Sequence, residues 1–493
     1  MSEIIQGFLY VLYPFHFIFL FLGVAGGIIV GAIPGLTGSV GIILLLPLVY
    51  RLDASTAMVM LCGMFCGAIY GGSISAILLS IPGTPSAAAT VLDGYPLAQK
   101  GEAGKAIGIA TIASTTGGII STFCLMFIAP QLARFALKFG PEEYFALMIF
   151  GLTIIASVAG KSLVKGLIAG FFGLLIATVG LDPVTGYARF SFNIPNLMAG
   201  FPLLPVLIGL FAVSQIFIQL EAIGKKIKHY QQKIYRILPS FQELRNIFPT
   251  IIASSFLGTF IGIIPGTGGT IASFLAYGEA KRWSKNPDSF GKGNILGVAA
   301  PEAANNGTTG GAMVPLLSLG IPGDVVTAVM LGALLLIGIK PGPFLFREHP
   351  EIINSIFAGL LLANILILLL GILSVRLFPR ILRTPDAILF PSIFTLCFLG
   401  AFSLNNSVYD MSVALLFGVI GYIMRKNGFP MAPIVLGVIL GPIAEDELGR
   451  ALIIAHGDWT VLFQSPIAIF FYVISLLSLL YSFRRQFSAH PKN

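Results

Sequence analysis

Charge is what this sequence has least of. Only 10% of its 493 residues are Asp, Glu, Lys or Arg, while 56% are hydrophobic, whereas a soluble domain carries roughly a quarter charged residues. That balance excludes a water-soluble globule and marks an integral membrane protein. Cysteine is also scarce. Cys62, Cys66, Cys124 and Cys397 all lie in apolar runs, where cysteine behaves as a small hydrophobe, so neither a disulfide nor a metal site is expected. The five histidines are scattered, and no His-Glu-x-x-His marks a zinc hydrolase. Ala159-Gly160-Lys161-Ser162 lacks the early glycine of a phosphate-binding loop, and Gly71-Gly72-Ser73-Ile74-Ser75 lacks the second glycine of a nucleophile elbow. An enzyme is not expected, nor a catalytic residue or bound cofactor.

What is present is apolar sequence in long runs. Lipid offers backbone groups no hydrogen-bond partners, so spans must be helices or closed barrels, and runs of about 20 residues without strict alternation select helices. The expectation is an all-α polytopic membrane protein with roughly ten to twelve spans, several of them interrupted or re-entrant. The net charge of +8 would point to nucleic acid in a soluble protein. Here the basic residues concentrate in connecting segments, the positive-inside pattern, and the partner expected is the lipid bilayer rather than nucleic acid. No basic residue precedes the first apolar run, so it is expected to remain as a span rather than be cleaved as a signal peptide.

Two motifs recur in order. Gly27-x-x-x-Gly31-Ala-Ile-Pro34-Gly35-Leu-Thr37 returns as Gly258-x-x-x-Gly262-Ile-Ile-Pro265-Gly266-Thr267, and Gly67 to Ile81-Pro82-Gly83 returns as Gly307 to Ile321-Pro322-Gly323. The first pair of prolines is offset by 231 residues and the second by 240, so the later copy holds nine more residues, assigned to the polar loop Lys281–Lys292. This is an internal duplication. The expected organisation is a first repeat over 1–223, a basic cytoplasmic connection over 224–246, a second repeat over 247–461, and a final span with a basic tail over 462–493. A start without basic residues, a basic centre at Gly224–Arg236, an acidic Glu445–Asp458 connection and a basic tail at Arg484, Arg485 and Lys492 give each repeat an odd number of crossings. The repeats are then inverted, although Arg134 and Lys138 in one copy and Arg376, Arg380 and Arg383 in the other run against this.

Each Ile-Pro-Gly invites a helix and then interrupts it, since proline lacks an N–H and clashes with the preceding turn while glycine reaches dihedral angles other residues avoid. Matched interruptions in two repeats point to a transporter site near the bilayer midplane, with half-helix N-termini favouring anions and freed carbonyls favouring a small cation. The candidate breaks are Pro34, Gly35, Pro82, Gly83, Pro265, Gly266, Pro322 and Gly323. The candidate substrate- or ion-binding side chains are Thr37, Ser39, Ser73, Ser75, Thr267, Asn305, Asn306, Thr308 and Thr309. Glu302 is the candidate ion-coupling acid, because intramembrane acids are functional by default, and Asp324 ranks below it. The plainer reading of each glycine alone is close helix packing. With so few buried acids, sodium held by carbonyls and hydroxyls is favoured over a proton relay.

These segments, together with Asp93-Gly-Tyr-Pro-Leu, Lys100-Gly-Glu-Ala-Gly and Pro301-Glu-Ala-Ala-Asn-Asn, resemble the large membrane subunit of the tripartite tricarboxylate transporters over nearly the whole chain. The resemblance implies a multi-pass protein of the bacterial inner membrane. It implies a secondary transporter importing tricarboxylates or related carboxylates, driven by a cation gradient with sodium as the expected co-substrate. It also implies two partners, a small membrane subunit and a periplasmic substrate-binding protein. The alternative is a stand-alone ion-coupled carrier or exchanger. A structural scaffold is disfavoured, since it gains nothing from interrupted spans.

Overall fold

The computed structural model describes residues 2–158, 162–182, 185–221, 237–373, 375 and 385–488. The basic block Gly224–Arg236, the arginines at 376, 380 and 383, Lys161 and Lys492 lie outside the described residues, as does the side chain of Arg485.

The apolar runs become helices, and the order follows the duplication. In the first half come α1 (Ser2–Leu12), α2 (Pro14–Ala32), α3 (Gly38–Val49), α4 (Ala54–Leu79), α5 (Ala88–Leu97), α6 (Ala103–Ala136), α7 (Pro141–Val158), α8 (Leu163–Ala177) and α9 (Leu203–Glu221). In the second half come α10 (Phe241–Ile263), α11 (Gly268–Trp283), α12 (Leu296–Leu319), α13 (Val325–Leu336), α14 (Pro350–Leu373), α15 (Asp386–Asn405), α16 (Val408–Lys426), α17 (Met431–Ile454) and α18 (Pro466–Ser488). The protein is all-α and polytopic: among the described residues eight helices are long and apolar enough to cross a membrane, and four shorter apolar helices accompany them. The sole strand pairing among these residues joins Gly180–Leu181 antiparallel to Ala188–Arg189.

Proline alone does not break these helices. Pro130 lies within α6, Pro301 and Pro315 within α12, and Pro442 within α17, as membrane helices tolerate. Each break adds a left-handed residue. At the first and third it is the glycine after proline, Gly35 (φ 90°) and Gly266 (φ 83°). At the second and fourth it is the helix C-cap two residues before proline, Ser80 (φ 61°) and Gly320 (φ 73°). Gly83 and Gly323 therefore do not serve the φ requirement expected of them. They serve close approach, since a Cβ on Gly323 would lie 2.6 Å from Ala312 Cα, and one on Gly83 would lie 3.0 Å from Gly72 Cα. A left-handed non-glycine residue costs about 1–2 kcal/mol. Ser80→Gly is accordingly expected to be neutral or to stabilise by up to about 1 kcal/mol, after the extra unfolded-state entropy of glycine; a lowered melting temperature in detergent would contradict this.

Two readings of the sequence are corrected, the first drawn from the Asp-Gly and Tyr-Pro pairs, which mark a turn outside the hydrocarbon. Asp93-Gly94-Tyr95-Pro96 reads as a turn, but it is helical within α5, running through a π turn at Ala98–Glu102 into α6. The local preference loses to tertiary contacts: the buried Asp93 carboxylate accepts the N–H groups of Gly293 and Asn294 at 2.7 Å and the hydroxyl of Tyr277 at 2.9 Å. The acidic run Glu445–Glu447 likewise lies inside α17 rather than in a loop, because Arg450 pairs with Asp446 and Glu447 along the helix and Arg189 reaches Glu445. The longer connection of the second copy falls at 284–295, between α11 and α12, overlapping its assigned loop.

The chain forms two compact units. One comprises Met1–Ala133 and Gln219–Ile393, the other Arg134–Ile218 and Phe394–Asn493. Each unit therefore takes one stretch from each half, in the same order. In the second unit α17 packs against α7 and α8, and α18 against α7, with glycines at the crossing: a Cβ on Gly173 would lie 3.0 Å from Gly437 Cα. The first unit holds all four breaks. Its heart is α4 and α12, buried along almost their whole length, while Phe127, Phe256 and Phe260 remain exposed where lipid would meet them.

Candidate functional site

The site is built on two helix pairs. Within the first unit α2 lies along α4, and α10 along α12. Lipid gives apolar side chains no reason to leave it, so helices here associate through close packing of small residues. A Cβ on Gly27 would stand 3.0 Å from Gly67 Cα, and one on Gly307 would stand 3.4 Å from Gly258 Cα. These two crossings occupy matching positions of the duplication, so the packing reading of the glycines holds. The break loops fold back onto their own pairs. Gly83 N–H donates to Gly72 O at 3.2 Å, and in the second copy Gly266 N–H donates to Gly323 O at 2.8 Å.

The two copies then meet reciprocally. A Cβ on Gly38 would lie 3.6 Å from Val326 Cγ2, and one on Gly269 would lie 3.1 Å from Ser86 Cβ. Positions 38 and 269 correspond under the 231-residue offset, and 86 and 326 under the 240-residue offset. Each copy thus offers its first break to the other copy's second, as in an isologous interface. The arrangement gathers the N-terminal ends of α3, α11 and α13 with the turn Pro85–Ala87 that leads into α5. Helix N-termini carry unpaired N–H groups and a partial positive charge.

Most of the candidate hydroxyls are committed locally. Thr37 and Ser39 bond each other at 2.7 Å; Ser73 donates to Tyr70 O at 2.7 Å and Ser75 to Gly72 O at 3.4 Å. Thr267 donates to Ile261 O and Ile264 O, Thr308 to Asn305 O and Thr309 to Asn306 O. Asn305 differs. It is fully buried, and neither its Oδ1 nor its Nδ2 hydrogen-bonds to any described protein group. Its Oδ1 is directed at the backbone of Gly269, the second residue of α11, on the side where Ser86 and Thr308 also approach. Buried polar groups are paired in the great majority of cases, so an amide with neither end paired needs an explanation.

Glu302 is brought to another side of α12. Also fully buried, it accepts from Thr90 at 2.5 Å and Ser114 at 3.0 Å, on α5 and α6. Asn306 donates to Glu302 O at 3.3 Å. Asp324 is a helix cap: its carboxylate accepts Thr327 N–H at 2.8 Å while Thr327 Oγ1 accepts from Asp324 N–H at 2.8 Å. Two residues escaped the sequence reading. Ser86 follows the first Ile-Pro-Gly and bonds Thr84, and the signal available was its place directly beyond a break. Asn364 lies in the middle of α14, fully buried, with Oδ1 unpaired.

The chain is similar to known sequences. Residues 17–436 match the family described as "Tripartite tricarboxylate transporter TctA family". An Agrobacterium vitis protein named "Uncharacterized 52.8 kDa protein in TAR-I ttuC' 3'region" is 38% identical over 472 residues, covering 95% of this chain and 93% of that protein. A second from the same organism, "Uncharacterized protein in TAR-II ttuC' 3'region", is 40% identical over 211 residues, 43% of this chain and 87% of its own length. No solved structure matches.

Proposed function

The chain belongs to the tripartite tricarboxylate transporter TctA family, and from that premise we propose that it is the permease of a binding-protein-dependent, cation-coupled importer whose carboxylate site lies where the four breaks converge. The observation that carries the site is Asn305, a buried amide without a protein partner beside the N-terminus of α11. With the side-chain amide turned over so that Nδ2 replaces Oδ1 on the α11 side, a carboxylate there takes a hydrogen bond from Nδ2 and sits against positive helix ends, the arrangement that half-helices offer anionic substrates. The repeats are inverted about an axis in the membrane plane. In the bacterial inner membrane a periplasmic binding protein delivers the substrate, and a small membrane subunit completes the assembly.

Coupling follows from energetics. Carrying an anion inward against an inside-negative potential costs about 2.3 kcal/mol per charge per 100 mV, so a trivalent substrate requires several co-transported cations, for which sodium is the reading. Uptake of a radiolabelled tricarboxylate into proteoliposomes containing this subunit, its small partner and the binding protein is expected to follow an imposed inward sodium gradient. Indifference to both sodium and proton gradients would refute the coupling. Full uptake without the binding protein would convert the reading to a stand-alone carrier.

A further inference from the structure

α12 presents unpaired polar atoms on two sides, and only one belongs to the carboxylate site. The other faces α6. Ser114 donates to Glu302 Oε2 at 3.0 Å, a Cβ on Gly117 would lie 3.0 Å from the Ala303 carbonyl carbon, and Gly310 N–H donates to Ser121 Oγ at 3.3 Å. Residues 302, 303, 306 and 310 form one stripe of a helix, so Asn306 lies on the stripe packed against α6, between Ala303 and Gly310. The neighbouring stripe of α6 meets α14. Thr115 donates to Asn364 O at 3.3 Å, and Gly118 is in contact with Asn364 Oδ1. Having no side chains, Gly117 and Gly118 let α12 and α14 close on the same turn of α6, which brings Asn306 and Asn364 to one level.

The chemistry of that level is one-sided. Asn306 Nδ2 donates to Glu302 O, four residues back, and Asn364 Nδ2 donates to Leu360 O at 2.8 Å, also four residues back. Both amides are thereby fixed with Oδ1 forward. Both oxygens are fully buried and accept nothing from the described residues. The Glu302 carboxylate, one turn before Asn306 on α12, forms no ion pair among those residues; its partners are hydroxyls. The locus offers oxygen acceptors and a carboxyl that can carry one negative charge, while each amide nitrogen is already engaged by a backbone carbonyl. It repels an anion and suits a small hard cation, for which carbonyl and carboxylate oxygens are the preferred ligands. One carboxylate with two neutral amides balances a single positive charge.

We propose that this junction of α6, α12 and α14 is a sodium site, with Asn306 Oδ1 and Asn364 Oδ1 as ligands and Glu302 as the compensating charge. The proposal rests on the cation-coupled reading and gives it an address. Adjacent on one helix, Asn305 and Asn306 point in different directions, so carboxylate and cation are held on two sides of the same turn of α12. The duplication supplies only one such place, since Cys62 and Cys66 hold the positions matching Glu302 and Asn306.

The test is binding, which needs neither partners nor transport. Purified protein in lipid nanodiscs is expected to bind radioactive sodium saturably in choline chloride. Asn306→Leu and Asn364→Leu are expected to weaken that affinity about ten-fold or more, without lowering the melting temperature measured in choline, since each removes an unpaired buried acceptor. Unchanged sodium affinity in both variants would overturn the site, and because carboxylate uptake is measured separately, the transport reading would stand. Absence of saturable sodium binding in the wild type would overturn it as well and leave Glu302 to a proton. Should either variant fail to fold, hydrogen exchange on the wild type decides: sodium is expected to protect peptides spanning 111–121, 300–310 and 357–367, and protection confined to other segments would refute the proposal.

Discussion

Asn305→Leu is expected to weaken tricarboxylate binding by about 10- to 100-fold, while folded protein accumulates at the wild-type level or above it. A hydrogen bond to a charged group contributes roughly 1.5–3 kcal/mol, and a buried polar group left unpaired costs about 1–3 kcal/mol. Asn305 is fully buried with both amide atoms unpaired by protein, so the folded protein without substrate bears the second cost. Leucine, with the same number of side-chain heavy atoms and the same branching, removes that cost together with the binding group. A residue kept for structure behaves oppositely: its loss lowers stability and leaves affinity in the surviving protein untouched. Thermal stability and isothermal titration on one preparation separate the two, and a destabilised variant with unaltered affinity would return Asn305 to the packing of α12 against α11. Ser73→Ala and Thr309→Ala are expected to be milder, because those hydroxyls already bond within their own helices.

The sequence carried the breaks, their pairing and their order, since proline and glycine impose local constraints that do not wait for tertiary structure. It even carried the reciprocity: the offsets that relate the four prolines also relate the contacts Gly38 to Val326 and Ser86 to Gly269. What it carried badly was anything decided at long range. Asp93-Gly-Tyr-Pro has every mark of a turn, yet Asp93 is drawn into a helix by groups two hundred positions away. Ser73, Ser75 and Thr309 looked equal to Asn305 as binding residues. The distinction arises from the helix itself, because a short hydroxyl side chain reaches a carbonyl three or four residues back. Asn305 makes no such bond, whereas Asn306 and Asn364 donate back through Nδ2 and keep Oδ1 free. Asn364 stood in plain view as the one amide within Leu-Leu-Ala-Asn364-Ile-Leu, but outside both motifs nothing in the sequence linked it to them.

The largest loss of folded protein is expected from Gly67→Leu. A Cβ at Gly67 would lie 2.5 Å from Val24 O, 3.1 Å from Ile28 N and 3.2 Å from Gly27 Cα. All three are backbone atoms of α2, so no rotamer change can make room and the two helices must separate. Overpacking a core commonly costs about 1–3 kcal/mol even where side chains can yield, and total stabilities are only about 5–15 kcal/mol. The separation also opens the pair that seats the first two breaks, since Gly83 packs against Gly31 O and Gly72. Membrane abundance of a fluorescent fusion is therefore expected to fall to a small fraction of wild type, with Gly67→Ala intermediate. Gly278→Leu supplies the control, because a Cβ there meets nothing within 4 Å and replacing a helical glycine gains up to about 1 kcal/mol. Wild-type abundance and transport in Gly67→Leu would show that α2 and α4 do not depend on this approach, and the framing of the carboxylate site by glycine-paired helices would have to be abandoned.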